Sequence, residues 1–343
     1  MNDQVPPEHQ QQEQQPPSFF PRDPEYGSRN DKPVIGVVGH GFVGKAVERA
    51  MHPEIERFLV DPNYGTNIDQ LCEQEPVLAF VCTPTPTTSK GRIDAAVTVD
   101  AVLKLIRQTQ AGVVLKSTVT PDIVDKICRA VEMDGCPDRF IYAPEFLTEK
   151  NADHEYCHPK YMVFGGMESS VNDFFGFLEA NTYVILPKNQ KEDGGIHLCH
   201  PVEASFVKYA INAFLALKVT FLNQLVDAME DEKYTVQPLK VLKMLAAEPR
   251  MGNSHWRVPG PDNKKGFGGA CFPKDVSALT NYSDKLSLLE KMLDINDEYR
   301  KEYDLDSREV EQNIDFGKGE TDVSNGQTEE ELESQDSSDA VTE

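Results

Sequence analysis

The sequence predicts an α/β protein: a Rossmann-like, doubly wound parallel sheet followed by an all-helical domain. Three observations carry this expectation. Short apolar runs at 34–38, 58–60, 77–82 and 113–117 alternate with stretches of helical pattern, the rhythm of βαβ units with right-handed crossovers. The first run leads into a glycine-rich turn and a helix at 43–51. Beyond residue 195 the strands give way to one long apolar stretch, 202–229, and to helices near 236–247 and 273–302.

The expected boundaries are therefore an NAD-binding domain at 33–195 and a helical central domain at 196–302. In 202–229, Phe206, Val207, Ile211, Phe214, Leu215, Phe221, Leu222 and Leu225 leave no polar face. A helix apolar all round is buried on all sides. Part of that cover is expected from a second copy, making a homodimer.

Both ends read as disordered tails. Residues 1–32 are polar and rich in Gln and Pro, and 303–343 carry 14 acidic residues against 2 basic ones, too few apolar groups to offset ordering entropy. The tails hold much of the net charge of −23. Lys and Arg are not clustered, so no nucleic-acid partner is expected. No uninterrupted apolar run predicts a membrane span, and the N-terminus lacks the pattern of a signal peptide. Seven cysteines, an odd number without a C-x-x-C pair, read as free thiols of a cytoplasmic protein. His154, Cys157 and His158, with His197, Cys199 and His200, have spacings compatible with zinc, but no metal site is expected.

Gly39-His40-Gly41-Phe42-Val43-Gly44 is a G-x-G-x-x-G between a strand and a helix. Gly39 permits the tight turn, Gly41 lets a diphosphate approach the helix N-terminus, and Gly44 allows close helix–strand packing. Asp61 ends the next strand about 20 residues on, where a carboxylate binds ribose hydroxyls and repels a 2′-phosphate. NAD is thus the expected cofactor. Thr83-Pro84-Thr85-Pro86 and Ser117-Thr118 follow further strands, at the edge where ligands bind in such sheets.

The segment Gly266-Phe267-Gly268-Gly269-Ala270-Cys271-Phe272-Pro273-Lys274-Asp275 carries the chemistry. Its glycines bring the chain close to a ligand, and Pro273 suits a first helical turn. Cys271 then precedes a helix N-terminus beside Lys274, and both favour the thiolate. Lys208 and Asn212, four apart, share one helical face.

From about residue 34 to 296 the chain resembles the UDP-glucose/GDP-mannose dehydrogenase family. The resemblance rests on Gly39–Gly44, Thr83–Pro86, Lys116-Ser117-Thr118-Val119, Pro144-Glu145-Phe146-Leu147, Glu203 through Asn212, and the cysteine segment. It implies a four-electron, NAD-dependent oxidation of the C6 primary alcohol of a nucleotide sugar through a cysteine thiohemiacetal and thioester. UDP-glucose, giving UDP-glucuronate, is the first expectation. A GDP-mannose or UDP-hexosamine substrate, or a non-catalytic NAD-binding or interaction protein, are the alternatives.

The resemblance also implies roles. Cys271 is the nucleophile, and Lys208 and Asn212 hold the reacting oxygen. Glu145, Thr118 and Asp275 manage protons and water. Glu149 stands near cofactor and sugar, Lys274 beside the cofactor, and Phe146, Leu147, Phe267 and Gly268 against the substrate. Arg250 reaches the neighbouring subunit's substrate. Family members continue into a third α/β domain over the nucleotide, whose pattern is missing after residue 302, and 259–265 lengthens the stretch before the cysteine loop. Lys264 and Lys265 in that stretch are expected to contact the diphosphate as point charges.

Overall fold

The computed structural model describes residues 33–187, 195–231 and 235–317; the expected tails at 1–32 and 318–343 lie outside them. The sheet is built from β1 (Val34–Val38), β2 (Glu56–Val60), β3 (Leu78–Val81), β4 (Gly112–Leu115), β5 (Phe140–Tyr142), β6 (Tyr161–Gly165) and β7 (Gly195–Cys199), in the order 2-1-3-4-5-6-7. β1 pairs in parallel with both β2 and β3, so the winding reverses beside it. That reversal opens a crevice at the carboxyl ends of β1 and β3, the usual ligand position in such sheets.

The apolar runs are continuous because both faces are covered. Ile35, Val37, Phe80 and Val114 join α1 (Phe42–Ala50), α5 (Ala152–Cys157) and α6 (Glu168–Asn181) in one core cluster. Their neighbours Val38, Ala79, Val81, Val113 and Leu115 point the other way. There they meet α2 (Ile68–Glu73), α3 (Ala96–Gln108), α4 (Pro121–Met133) and the long α7 (Pro201–Glu230). Arg139, unremarkable in the sequence, is buried and donates to the carbonyls of Ile106, Thr109 and Ala111, tying α3 to β4 and β5.

Four expectations are corrected. The sheet is not wholly parallel, since β5 and β6 pair antiparallel. It does not stop at 195, because β7 adds to β6 as far as Cys199. The helix expected over 273–302 is two, α9 (Phe272–Tyr282) and α10 (Ser287–Arg300), broken at Ser283-Asp284-Lys285-Leu286. The acidic tail does not begin at 303: Asp306 caps α11 (Ser307–Glu311), and Glu309, Ile314 and Phe316 are buried. Composition misled there because one buried carboxylate and two apolar side chains suffice to seat a short segment on an existing core.

α7 packs against α4, α9, α10 and α8 (Pro238–Ala247). It is long and apolar enough to cross a membrane by length and composition alone, unlike the sequence expectation. Its buried face, however, carries Lys208, Asn212 and Asn223, which bond to one another or to neighbouring helices and loops. Phe206, Phe214 and Phe221 are exposed on it, Phe214 at 68%.

On α10, burial pushes the Asp297 carboxyl up to about 7, helped by the charges of Asp315, Asp294 and Glu298. A raised carboxyl adds stability while protonated, and that stability is lost as pH rises from about 4 through 7. Asp297→Asn should therefore melt about 2–4 °C above wild type at pH 8 and level with it near pH 4. Thermal melts followed by circular dichroism check this, and an equal gain at both pH values would refute it.

Candidate active site

The glycine turn after β1 has the shape a dinucleotide needs. Gly39 has φ +87°, and a Cβ there would lie 2.7 Å from the carbonyl oxygen of Cys82 at the end of β3. A Cβ on Gly44 would lie 2.1 Å from the carbonyl oxygen of Gly39. Gly41 caps α1 with no side-chain hydrogen bond, and nothing stands within 4 Å of where its Cβ would be. The N-terminus of α1 is thus uncovered at Gly41, room for a diphosphate to approach it. Phe42 is exposed beside them, while Val43 packs into the core under α1.

Asp61 ends β2 at this crevice. Burial works against its charge, but the N–H groups of His40 and Asn63, at 2.8 and 3.0 Å, outweigh burial and hold the carboxyl below the ordinary range. It is ionised at neutral pH, as recognition of a ribose diol requires. The sequence did not single out His40, whose ring lies between Tyr64 Oη at 2.7 Å and Glu48 Oε2 at 2.9 Å. Those bonds tie the turn to α1 and to the segment after β2. The residues fit NAD.

The Thr-Pro turn after β3 departs from expectation in one respect. The Thr83 hydroxyl is turned inward to Thr98 Oγ1 at 2.7 Å, and its carbonyl accepts from Ser117 Oγ at 2.7 Å, so its side chain braces the turn. Thr85 donates to the Thr118 carbonyl at 2.9 Å and takes a long bond, 3.4 Å, from Lys274 Nζ.

Behind that turn the helical domain gathers two donors on one carboxyl group, and Lys274 carries the link on to Thr85 of the sheet domain. Asp275, at 2% exposure, accepts from Asn212 Nδ2 at 2.6 Å and from Lys274 Nζ at 2.5 Å. Lys208 Nζ lies 3.5 Å from Asn212 Oδ1 and 5.3 Å from the centre of the Phe146 ring. Lys274 is thus paired with Asp275, and Cys271 stands at the N-terminus of α9 beside it. Cys271 caps α9, its carbonyl accepting the Asp275 N–H at 2.8 Å. Among the seven cysteines it is the exposed one. Burial pushes the thiols of Cys82 and Cys128 up to about 12, far from reactive.

Beside this cluster, at the end of β5, a cavity of about 360 Å³ is lined by Lys116, Glu145, Phe146, Leu147, Tyr156 and Tyr161 among others. Half-buried Glu145 forms an ion pair with buried Lys116, whose ammonium also stands 5.7 Å over the Tyr156 ring. Glu149 opens a short 3-10 turn, and its side chain lies outside the described part of the structure.

The glycine loop before Cys271 is held by side chains that no sequence motif singles out. Asn223 accepts from Gly266 N, Asn296 brackets the Phe267 amide and carbonyl, and Glu309 accepts from Gly269 N. Phe267 is accordingly buried, and a Cβ on Gly268 would collide with Arg300 and Glu309 at 2.2 and 2.3 Å.

The loop lysines are corrected. Lys265 Nζ is paired with Asp227 at 2.7 Å and Glu230 at 3.4 Å, and Lys264 Nζ donates to the Asp304 carbonyl at 2.6 Å. Carboxylates on α7 already compensate Lys265, so these are not free phosphate partners. Arg250 is exposed, its Nε held by Glu248 at 2.6 Å, away from this chain's own cluster.

A glycine turn shaped for a dinucleotide, an exposed cysteine at a helix start and the buried Lys208, Asn212 and Asp275 define an NAD-binding protein with a second polar cluster on its helical domain. Comparison with known proteins agrees. Models of the UDP-glucose/GDP-mannose dehydrogenase family match residues 64–176 with its NAD binding domain and 202–298 with its central domain. Together these cover more than half of the chain, which belongs to that family. The glycine turn lies ahead of the first matched range and is carried by its own geometry. A UDP-glucose 6-dehydrogenase of Rickettsia bellii is 29% identical over 226 residues, 64% of this chain and 49% of that protein. The solved UDP-glucose dehydrogenase of Pyrobaculum islandicum has a TM-score of 0.58 at 24% identity, covering 80% of this chain and 70% of that one. The UDP-D-ManNAc dehydrogenase of Pyrococcus horikoshii gives 0.59 at 19%, over 78% and 68%. At these identities the two structures speak to the fold. The chain spans about half the length of the curated relatives it matches.

NAD should bind more tightly than NADP, because Asp61 is ionised where a 2′-phosphate would lie. Asp61→Ala should narrow that preference by about tenfold, mostly by improving NADP. Equilibrium titration of both cofactors decides this, and a wild-type protein without preference would remove the role given to Asp61.

Proposed function

We propose that this protein oxidises the C6 primary alcohol of UDP-glucose to the carboxylate of UDP-glucuronate, with NAD⁺ as oxidant. The observation that supports this most is that exposed Cys271 starts the helix carrying Asp275, whose N–H donates to the Cys271 carbonyl at 2.8 Å and whose carboxyl group is bonded to Asn212 beside Lys208. The glycine turn and Asp61 hold the cofactor, which accepts hydride when bound.

Lys208 and Asn212 hold the reacting oxygen, and the ammonium stabilises the charge that develops there, a contribution of roughly 3–4 kcal/mol. The Cys271 thiolate adds to the aldehyde carbon, forming a C–S bond and a thiohemiacetal. A second two-electron oxidation leaves a thioester, and the reactive aldehyde is never released. Water positioned by Thr118 and Asp275 attacks the thioester carbon, and the thiolate leaves. Glu145, held by Lys116, acts in this reading on the cavity side, where the sugar meets Phe146 and Leu147.

The protein is further read as a homodimer through the phenylalanine-bearing face of α7, with Arg250 reaching the other subunit. Free cysteines suit a reducing, cytoplasmic setting.

Purified protein with NAD⁺ and a panel of UDP-glucose, UDP-N-acetylmannosamine and GDP-mannose should produce NADH, read by absorbance, with UDP-glucose alone, two per sugar. Cys271→Ala should abolish four-electron turnover, a loss of at least about a thousandfold. Full turnover by this variant would sink the thioester route, and NADH with another sugar only would reassign the substrate.

A further inference from the structure

Segment 306–316 lies against both loops of the site. Just past the Thr-Pro turn, Thr87 donates its N–H to the Gln312 carbonyl at 3.0 Å, and its own carbonyl accepts from Asn313 Nδ2 at 3.2 Å. From α11, Glu309 enters the interior with 0% exposure. Its Oε1 accepts from Gly269 N at 2.9 Å and from Arg300 Nη2 at 2.6 Å, and its Oε2 accepts from Asp306 N at 2.9 Å. Arg300, equally buried, sends Nη1 to Asp262 Oδ2 at 2.7 Å, in the lengthened stretch 259–265.

Burying a carboxylate and a guanidinium costs desolvation, and apolar side chains of the same volume often pack as well or better. An apolar side chain has no means of accepting the Gly269 amide, which is two residues before Cys271. Gly269 has φ +78°, and the neighbouring Gly268 leaves no room for a Cβ, so this backbone has one way to sit against the pair. Cys271 follows with its carbonyl already committed to α9.

We propose that Glu309 is a positioning residue for Cys271: through the Gly269 amide it fixes the backbone on which the thiol is mounted, and Arg300 fixes Glu309. This rests on the reading of Cys271 as the nucleophile. It gives the segment after α10 a task in the site, since the same segment also pins the Thr-Pro turn through Gln312 and Asn313.

The test alkylates the full chain with iodoacetamide from about pH 6 to about pH 9 and follows Cys271 by peptide mass spectrometry. Glu309→Ala should move the Cys271 reactivity midpoint upward and slow its alkylation at neutral pH about tenfold, because the thiol loses its alignment with the helix N-terminus. Glu309→Gln, which keeps the shape but not the charge, should fall between. Cys72, partly exposed on α2, should react as in wild type. An unchanged Cys271 profile in a cooperatively melting Glu309→Ala overturns the proposal, as does a parallel change at Cys72, which marks general loosening. If Glu309→Ala does not fold, Glu309→Gln decides by the same two criteria. Alkylation needs no sugar or cofactor, so a wild-type protein that makes no NADH refutes the reaction separately.

Discussion

The site depends on how a single buried carboxyl group, Asp275, finds its hydrogen-bond partners inside the protein. At 2% exposure it has lost its water, and both oxygens must find donors from the chain. One comes from Asn212 on α7, the other from Lys274 on α9. Lys274 in turn reaches Thr85, which is bonded to Thr118, so the bonding of one carboxyl group runs from the helical domain into two loops of the sheet domain. The relative placement of cofactor crevice and cysteine follows from that chain. Loss of Asn212 leaves one buried oxygen without its donor, and loss of Lys274 leaves the carboxyl group without its cation, each more costly than replacing the whole cluster by apolar groups.

A second constraint is steric. The cysteine loop approaches its surroundings closely enough that Gly266 and Gly268 admit no Cβ, and at 2.2–2.7 Å a Cβ would meet Asn296, Arg300 or Glu309. Glycine at these positions carries a large conformational entropy. Asn223, Asn296 and Glu309 remove that freedom by taking the loop's amides one after another. A loop built to come near a ligand is flexible by composition and rigid by tertiary hydrogen bonding. The sequence shows the first property and is silent on the second.

The difference between the two kinds of information is plain in the charged residues. Lys264, Lys265 and Glu145 all have chemistry suited to a nucleotide sugar. Asp227, Glu230 and Lys116 claim two of them as ion-pair partners, from positions 29 to 38 residues away in the chain. Lys264 goes instead to a backbone carbonyl. A side chain's type states what it is able to bind, whereas its partners state what it has left to offer.

By itself the sequence determined the repeating strand–helix order, the glycine turn with Asp61 at its proper distance, the 30-residue apolar helix and the cysteine at a helix start. These are local: each follows from periodicity, backbone freedom or a cap within a few residues. The tertiary structure alone decided that β6 runs against β5, that Thr83 turns inward, that Lys274 serves Asp275, and that Glu309 reaches back 40 residues to the cysteine loop. Each of these is a choice among partners distant in sequence, settled by burial. A polar group removed from water takes the nearest donor or acceptor that the packed core presents, and no local pattern records which one that is.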